Sequence, residues 1–301
     1  MKFNKLTSAL MICAAIGVVS LPVSTAFAAP DAAKIAERKA RKSQAVGEKV
    51  GKAIGKAYEL YGANQIAEAI AILEPLEPTN AFDKAYLARF LGSLYVEKNP
   101  EKAIKYLKEA IKPDILSFTD QAAALRNLAD LSIMAKKYQD AIGYYNKWLD
   151  FTGELDPNVE MRIANCFYEM KQYNKVIAPA DRAIAHFKEP KKEPYIMKYA
   201  SYYELKQTKK VIEVLEEAVV IFPKEKTFWV QLGNFYSADE QFAKALAVID
   251  MAYKQGYLTT ENEIKLLANL YNNNNVPYKA AATLEKHMKS GLVKKDRAIL
   301  M

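Results

Sequence analysis

The sequence predicts an all-α fold: a right-handed superhelical solenoid of about seven helix-turn-helix repeats. Three observations predict it. Residues 168–177 read YEMKQYNKVI and residues 203–212 read YELKQTKKVI, seven identical positions of ten at an offset of 35 residues. Self-similarity of this kind marks tandem units rather than one globular core. The composition, with only 11 Gly and 12 Pro in 301 residues and abundant Ala, Leu, Lys and Tyr, favours helix over sheet. Finally, a small or β-branched anchor recurs near the start of the second helix of each unit. It falls at Ala69, Ala103, Ala141, Val176, Val211, Ala245 and Ala281, in steps of 34, 38, 35, 35, 34 and 36 residues.

The first element, residues 1–28, reads as a secretory signal peptide. MKFNK carries Lys2 and Lys5, an uncharged run LTSALMICAAIGVVSLPV follows, and Ala26-Phe27-Ala28 supplies small residues for cleavage after Ala28. Pro22 and that cleavage pattern argue against a membrane anchor, which needs about 20 apolar residues. Ile12 before Cys13 argues against lipidation, since a small residue is wanted there. Export would remove Cys13 and leave Cys166 as a single thiol, so the fold must rest on apolar packing.

The second element, residues 29–46, opens a basic leader, helical or disordered. The formal net charge is +8; Lys2 and Lys5 carry +2 of it, residues 29–56 carry +5, and only +1 remains for the other residues. A solvated, partly disordered terminus accounts for such a run, and so does peripheral contact with an anionic membrane surface or an acidic partner. Nucleic acid is not an expected partner of an exported chain with a near-neutral body. Gly47, Gly51 and Gly55 share one helical face and predict close packing on the next helix. The run GEKVGKA is one residue short of a phosphate-binding loop and ends in Ala.

The third element, residues 47–292, is the repeat array. The clearest unit is KTFWVQLGNFYSADEQFAKALAVIDMAYKQGYLT, residues 226–259. Counting from Lys226, Trp229, Leu232, Gly233 and Tyr236 are positions 4, 7, 8 and 11, and Ala245 and Ala252 are positions 20 and 27. This pattern is identified as the tetratricopeptide signature. Small residues at 8, 20 and 27 mark where helices come closest, and large residues fill the space between, so each unit needs neighbours to bury its face. Pro78, Pro113, Pro190 and Pro223 end helices. The step of 38 spans the insertion IKPDILSFTD. Residues 293–301 resemble the start of a further helix, either a cap or a truncated repeat.

No catalytic or metal-binding constellation is spelled. His186 and His287 lie three repeats apart, Cys166 sits at a packing position, and no HExxH, CxxC, GxSxG or GxGxxG occurs. An enzyme is not expected, nor a cofactor or metal. Helix A of each unit is expected to line a concave groove through Tyr86, Arg89, Arg126, Asn127, Asn165, Tyr168, Tyr203 and Asn234, with Ser93 and Asp130 beside them. Arg forks, amides and aromatic area suit an extended peptide or a partner helix.

From about residue 57 onward the chain also resembles a narrower group, the periplasmic repeat proteins encoded with TonB–ExbB–ExbD systems. The stretches that carry this are YELKQTKKVIEVLEEAVVIFPKEKTFWVQLGNFY and LAVIDMAYKQGYLTTENEIKLLANLYNNNNVPYKAAATLEK. The resemblance implies a non-catalytic periplasmic accessory of TonB energy transduction for iron–siderophore uptake, with TonB, ExbB or ExbD components as partners. It also implies an array that continues. A scaffold or assembly factor for another envelope machine (cell wall, polysaccharide or protein export) is the alternative.

Overall fold

The computed structural model describes residues 31–294. The signal peptide assigned to residues 1–28 lies outside the described residues, as do residues 295–301 of the expected terminal helix. A short helix, α1 (Ala32–Ala40), precedes seven helix pairs. These are α2 (Glu48–Gly62) with α3 (Ile66–Leu73), α4 (Ala81–Tyr95) with α5 (Pro100–Ile111), and α6 (Phe118–Met134) with α7 (Tyr138–Thr152). There follow α8 (Pro157–Glu169) with α9 (Tyr173–His186), α10 (Glu193–Glu204) with α11 (Thr208–Ile221), α12 (Lys226–Ala238) with α13 (Phe242–Lys254), and α14 (Glu261–Asn273) with α15 (Pro277–Lys289). No strand occurs among the described residues. The architecture is an α-solenoid of the tetratricopeptide kind, established by how these pairs turn and stack.

The turn inside a pair is the same device six times. A non-glycine residue takes a left-handed conformation at Asn64, Lys136, Lys171, Lys206, Glu240 and Asn275, with φ between 55° and 61°. The amide of the next residue then reaches back five residues, as in Gln172 N–H to Phe167 C=O at 2.9 Å and Gln207 N–H to Tyr202 C=O at 2.9 Å. This closes the last turn of the first helix and redirects the chain. The second repeat departs: there Asn99 is extended (φ −157°) and caps α5 by accepting from Lys102 N–H at 2.9 Å. Helix starts elsewhere are capped by Asn80, Ser117, Asp156 and Thr260, the last in a reciprocal capping box with Glu263.

Small residues bring the paired helices together. A Cβ on Gly92 would stand 2.7 Å from Leu107, and one on Gly233 would stand 2.3 Å from Ile249. Alanine takes the equivalent place at Ala57, Ala129, Ala164 and Ala268, all buried. The rule breaks in the fifth repeat: Tyr199 lies seven residues before the turn residue Lys206, and its ring meets Phe228 edge-on at 6.5 Å. The second-helix anchors Ala69, Ala103, Ala141, Val176, Val211 and Ala245 are all fully buried. The seventh anchor is Ala280 (2% exposed) rather than Ala281, which is exposed. Counting the anchor five residues after the left-handed turn residue, Asn275, gives this register, which sequence spacing misread by one within the run Ala280-Ala281-Ala282.

Helices pack chiefly on their neighbours in sequence, so the core is a row of interfaces. Buried apolar side chains form clusters within repeats one to three, three to four, and five to seven. At the junction of repeats four and five, α9 buries only Val176, Pro179, Ala180 and Ala183. Of its residues, the half-buried Ile184 packs on the C-terminal cluster.

Candidate functional site

Toward their turn ends, first helices of several repeats present a face of accessible polar or aromatic side chains three or two residues before the turn residue: Tyr61, Tyr168, Tyr203 and Glu204. In repeats one to three this face forms a pocket of about 410 Å³. Tyr61, Ser93, Glu97, Asn127, Asp130 and Met134 line it. In repeats five and six Tyr203, Glu204, Lys206 and Phe235 line a second pocket of about 400 Å³. Tyr203 is 60% exposed and holds its ring edge-on to Phe235 at 5.7 Å. Asn165 and Tyr168 lie on α8 between the two pockets, half-buried, with Tyr168 edge-on to Tyr173 at 5.3 Å. Asn234 is exposed on α12.

The expectation of free arginine forks needs correcting. Arg89 forms an ion pair with Asp120 at 3.3 Å, without hydrogen-bond alignment, and lies over the Tyr86 ring at 5.1 Å. Tyr86 itself is half-buried and stacks on Phe82. Arg126 donates to Asp156 at 3.1 Å and lies over the Trp148 ring at 5.3 Å. Asp130 is engaged as well, by Arg162 at 3.1 Å and by the Tyr145 hydroxyl. These charges tie one repeat to the next. The physical reason is spacing: stacked first helices bring a cation of one repeat beside a carboxylate of its neighbour. What the groove offers a ligand is therefore aromatic area and amides, with Glu97 and Glu204 at its edge.

Sequence reasoning missed three exposed groove residues: Tyr58 (66%), Tyr61 (55%) and Met134 (67%). The signal was available. Tyr61 stands three residues before Asn64, as Tyr168 stands before Lys171 and Tyr203 before Lys206. Repeat one lacks the Lys-Gln turn that made the other two legible.

The signature residues of the sixth repeat serve packing. Leu232, Gly233, Tyr236, Ala245 and Ala252 are buried. Half-buried Trp229 donates its indole N–H to the Pro223 carbonyl at 2.9 Å. Tyr236 donates its hydroxyl to Glu216 of the preceding helix, and burial together with that bond pushes the phenol up to about 12. Tyr95 to Glu74 (2.9 Å) and Tyr271 to Asp250 repeat this arrangement in the second and seventh repeats.

Titratable groups with nucleophilic potential are held apart. Cys166 is fully buried and its thiol is pushed up to about 11, chiefly by burial. His186 Nδ1 meets the Arg182 carbonyl at 2.7 Å, and His287 Nε2 meets the Tyr253 hydroxyl at 2.9 Å. Among the described residues no group of three or more His, Cys, Asp or Glu side chains is placed to hold a metal ion. No described helix is long and apolar enough to cross a membrane.

No protein-family model matches the chain, and no curated protein matches it. Solved structures that resemble it include a tetratricopeptide repeat protein from Parabacteroides merdae ATCC 43184. That match has 15% identity, covers 84% of this chain and 97% of the other, and has a TM-score of 0.47. MamA (residue 41 to the end) from Desulfovibrio magneticus RS-1 has 20% identity, 58% and 96% coverage and a TM-score of 0.43. YrrB, described as a TPR protein with an unusual peptide-binding site, has 16% identity, 65% and 96% coverage and a TM-score of 0.45. The fold assignment rests on this chain's own turns and helix pairing.

Proposed function

We propose that the protein is a non-catalytic interaction scaffold whose first-helix face binds an extended peptide or a helix of a partner protein. The observation that carries this reading is the pair of pockets at one register of the array, with Tyr61 and Tyr203 exposed at equivalent positions. Exposed tyrosines give rigid contact area at low entropic cost and hydrogen-bond at their tips. The finer reading is a periplasmic accessory of a TonB energy-transduction system. It is supported by the signal-like N-terminal sequence and by the resemblance of the last repeats to that group.

An in-cell cross-linked pull-down of the tagged protein, read by mass spectrometry, tests both levels. Recovery of TonB, ExbB or ExbD peptides, lost on Tyr61→Ala/Tyr203→Ala, is the expected result. Recovery of cell-wall, polysaccharide or export machinery would discard the TonB assignment and keep the scaffold. Partner recovery unchanged by the double substitution would discard the groove.

A further inference from the structure

The leader is not a free tail. Helix α1 packs against α6 and α7 of the third repeat, two repeats beyond the one it precedes in sequence. Its half-buried residues are Ile35, Arg38 and the flanking Arg41, spaced by three, so they share one face. Arg38 donates to the Asp150 carbonyl oxygen at 2.7 Å and to the Asp150 carboxylate at 3.2 Å. Arg41 donates to Asp114 at 3.0 Å and to the Leu116 carbonyl at 3.1 Å. Both guanidinium groups lie over the Phe151 ring, which stacks on Phe118.

The receiving surface is built from the insertion between the second and third repeats and from the end of α7. Asp114 and Leu116 belong to the insertion that lengthens the step between the second and third anchors to 38 residues. Asp114 is held left-handed at φ 49°. Gly153, left-handed at φ 67°, ends α7, and a Cβ there would stand 2.3 Å from Ile35. The insertion that interrupts the repeat spacing therefore supplies both acceptors for Arg41.

The occupant is held lightly. No residue of α1 is fully buried, and its ion pairs leave Asp114 and Asp150 half or more exposed. A nine-residue helix does not persist alone in water, so docking and helix formation go together.

We propose that the third repeat carries a second binding site, separate from the groove. It is specific for a short helix spelled apolar-x-x-Arg-x-x-Arg, with the leader as a tethered occupant that exchanges for the same helix on another protein. The tether gives the leader a high effective concentration, which a competitor must exceed.

The test uses a fluorescein-labelled peptide of residues 31–46 and purified protein. Arg38→Glu/Arg41→Glu should undock the leader, and fluorescence anisotropy should show the peptide binding this variant at least tenfold more tightly than unaltered protein. Adding Asp114→Lys/Asp150→Lys to the variant should abolish binding. In unaltered protein, excess peptide should accelerate hydrogen exchange of the leader amides, a readout that does not depend on any variant folding. Equal binding to variant and unaltered protein, or no binding with unchanged leader exchange, overturns the proposal.

Discussion

At the scale of single residues, two kinds of position decide the fold, and both are testable. The first is the close approach at Gly233, where a Cβ would stand 2.3 Å from Ile249. Gly233→Ala should cost about 1–3 kcal/mol, because the added Cβ forces the fully buried Ile249 side chain to shift. A melting temperature equal to that of the unaltered protein would contradict this packing. The second is the left-handed turn residue. Lys206 at φ 57° is exposed, and its side chain makes no hydrogen bond or ion pair. Left-handed backbone costs an L-residue about 1–2 kcal/mol, and glycine's unfolded-state entropy gives back roughly 0.5–1 kcal/mol of that. Lys206→Gly should therefore stabilise by up to about 1 kcal/mol, and Lys206→Val should destabilise by a similar amount, both read by chemical denaturation.

At the scale of elements, neighbouring repeats are joined by recurring polar ties as well as by apolar contact. Tyr236→Phe should cost about 1–2 kcal/mol, since it removes a hydrogen bond to the Glu216 carboxylate. Acid should loosen the same joints. Glu263 accepts from Lys226 and from the Thr259 and Thr260 amides, and these bonds outweigh its burial, so its carboxyl lies below the ordinary range. A lowered carboxylate contributes stability above the ordinary range, about pH 4, that is lost as pH falls through the folded value. Glu263→Gln should flatten that part of the acid melting curve. Much of this scale was legible beforehand. Helix pairs, anchors and the Gly92 and Gly233 approaches follow from position-specific residue size. The inter-repeat ion pairs of Arg89 and Arg126 were not legible, because their carboxylates Asp120 and Asp156 lie about thirty residues away in the first turn of α6 and at the N-cap of α8, outside the repeat's apolar pattern. The leader's docking was hidden for a related reason: a charge run reads the same whether solvated or seated, and only the irregular 38-residue step hinted at a receptor.

At the scale of the whole molecule, a stack of nearest-neighbour interfaces is as cooperative as its weakest joint. We predict that this joint is the fourth-to-fifth junction: α9 and α10 lie close together over small buried side chains, and no fully buried apolar cluster crosses the seam among the described residues. Widening it should separate the two halves: Ala180→Gly and Ala183→Gly together should split one unfolding transition into two, seen by calorimetry, while a single sharp transition would show that the seam is not the weak point. The chain also carries its own optical markers for this division. Its two tryptophans fall on opposite sides of the seam, Trp148 buried in the third repeat and Trp229 half-buried in the sixth. Each half thus has a private chromophore. Emission from a Trp229→Phe protein reports the N-terminal half alone, and emission from a Trp148→Phe protein the C-terminal half. Light from one molecule can then tell which end is bound, strained or open.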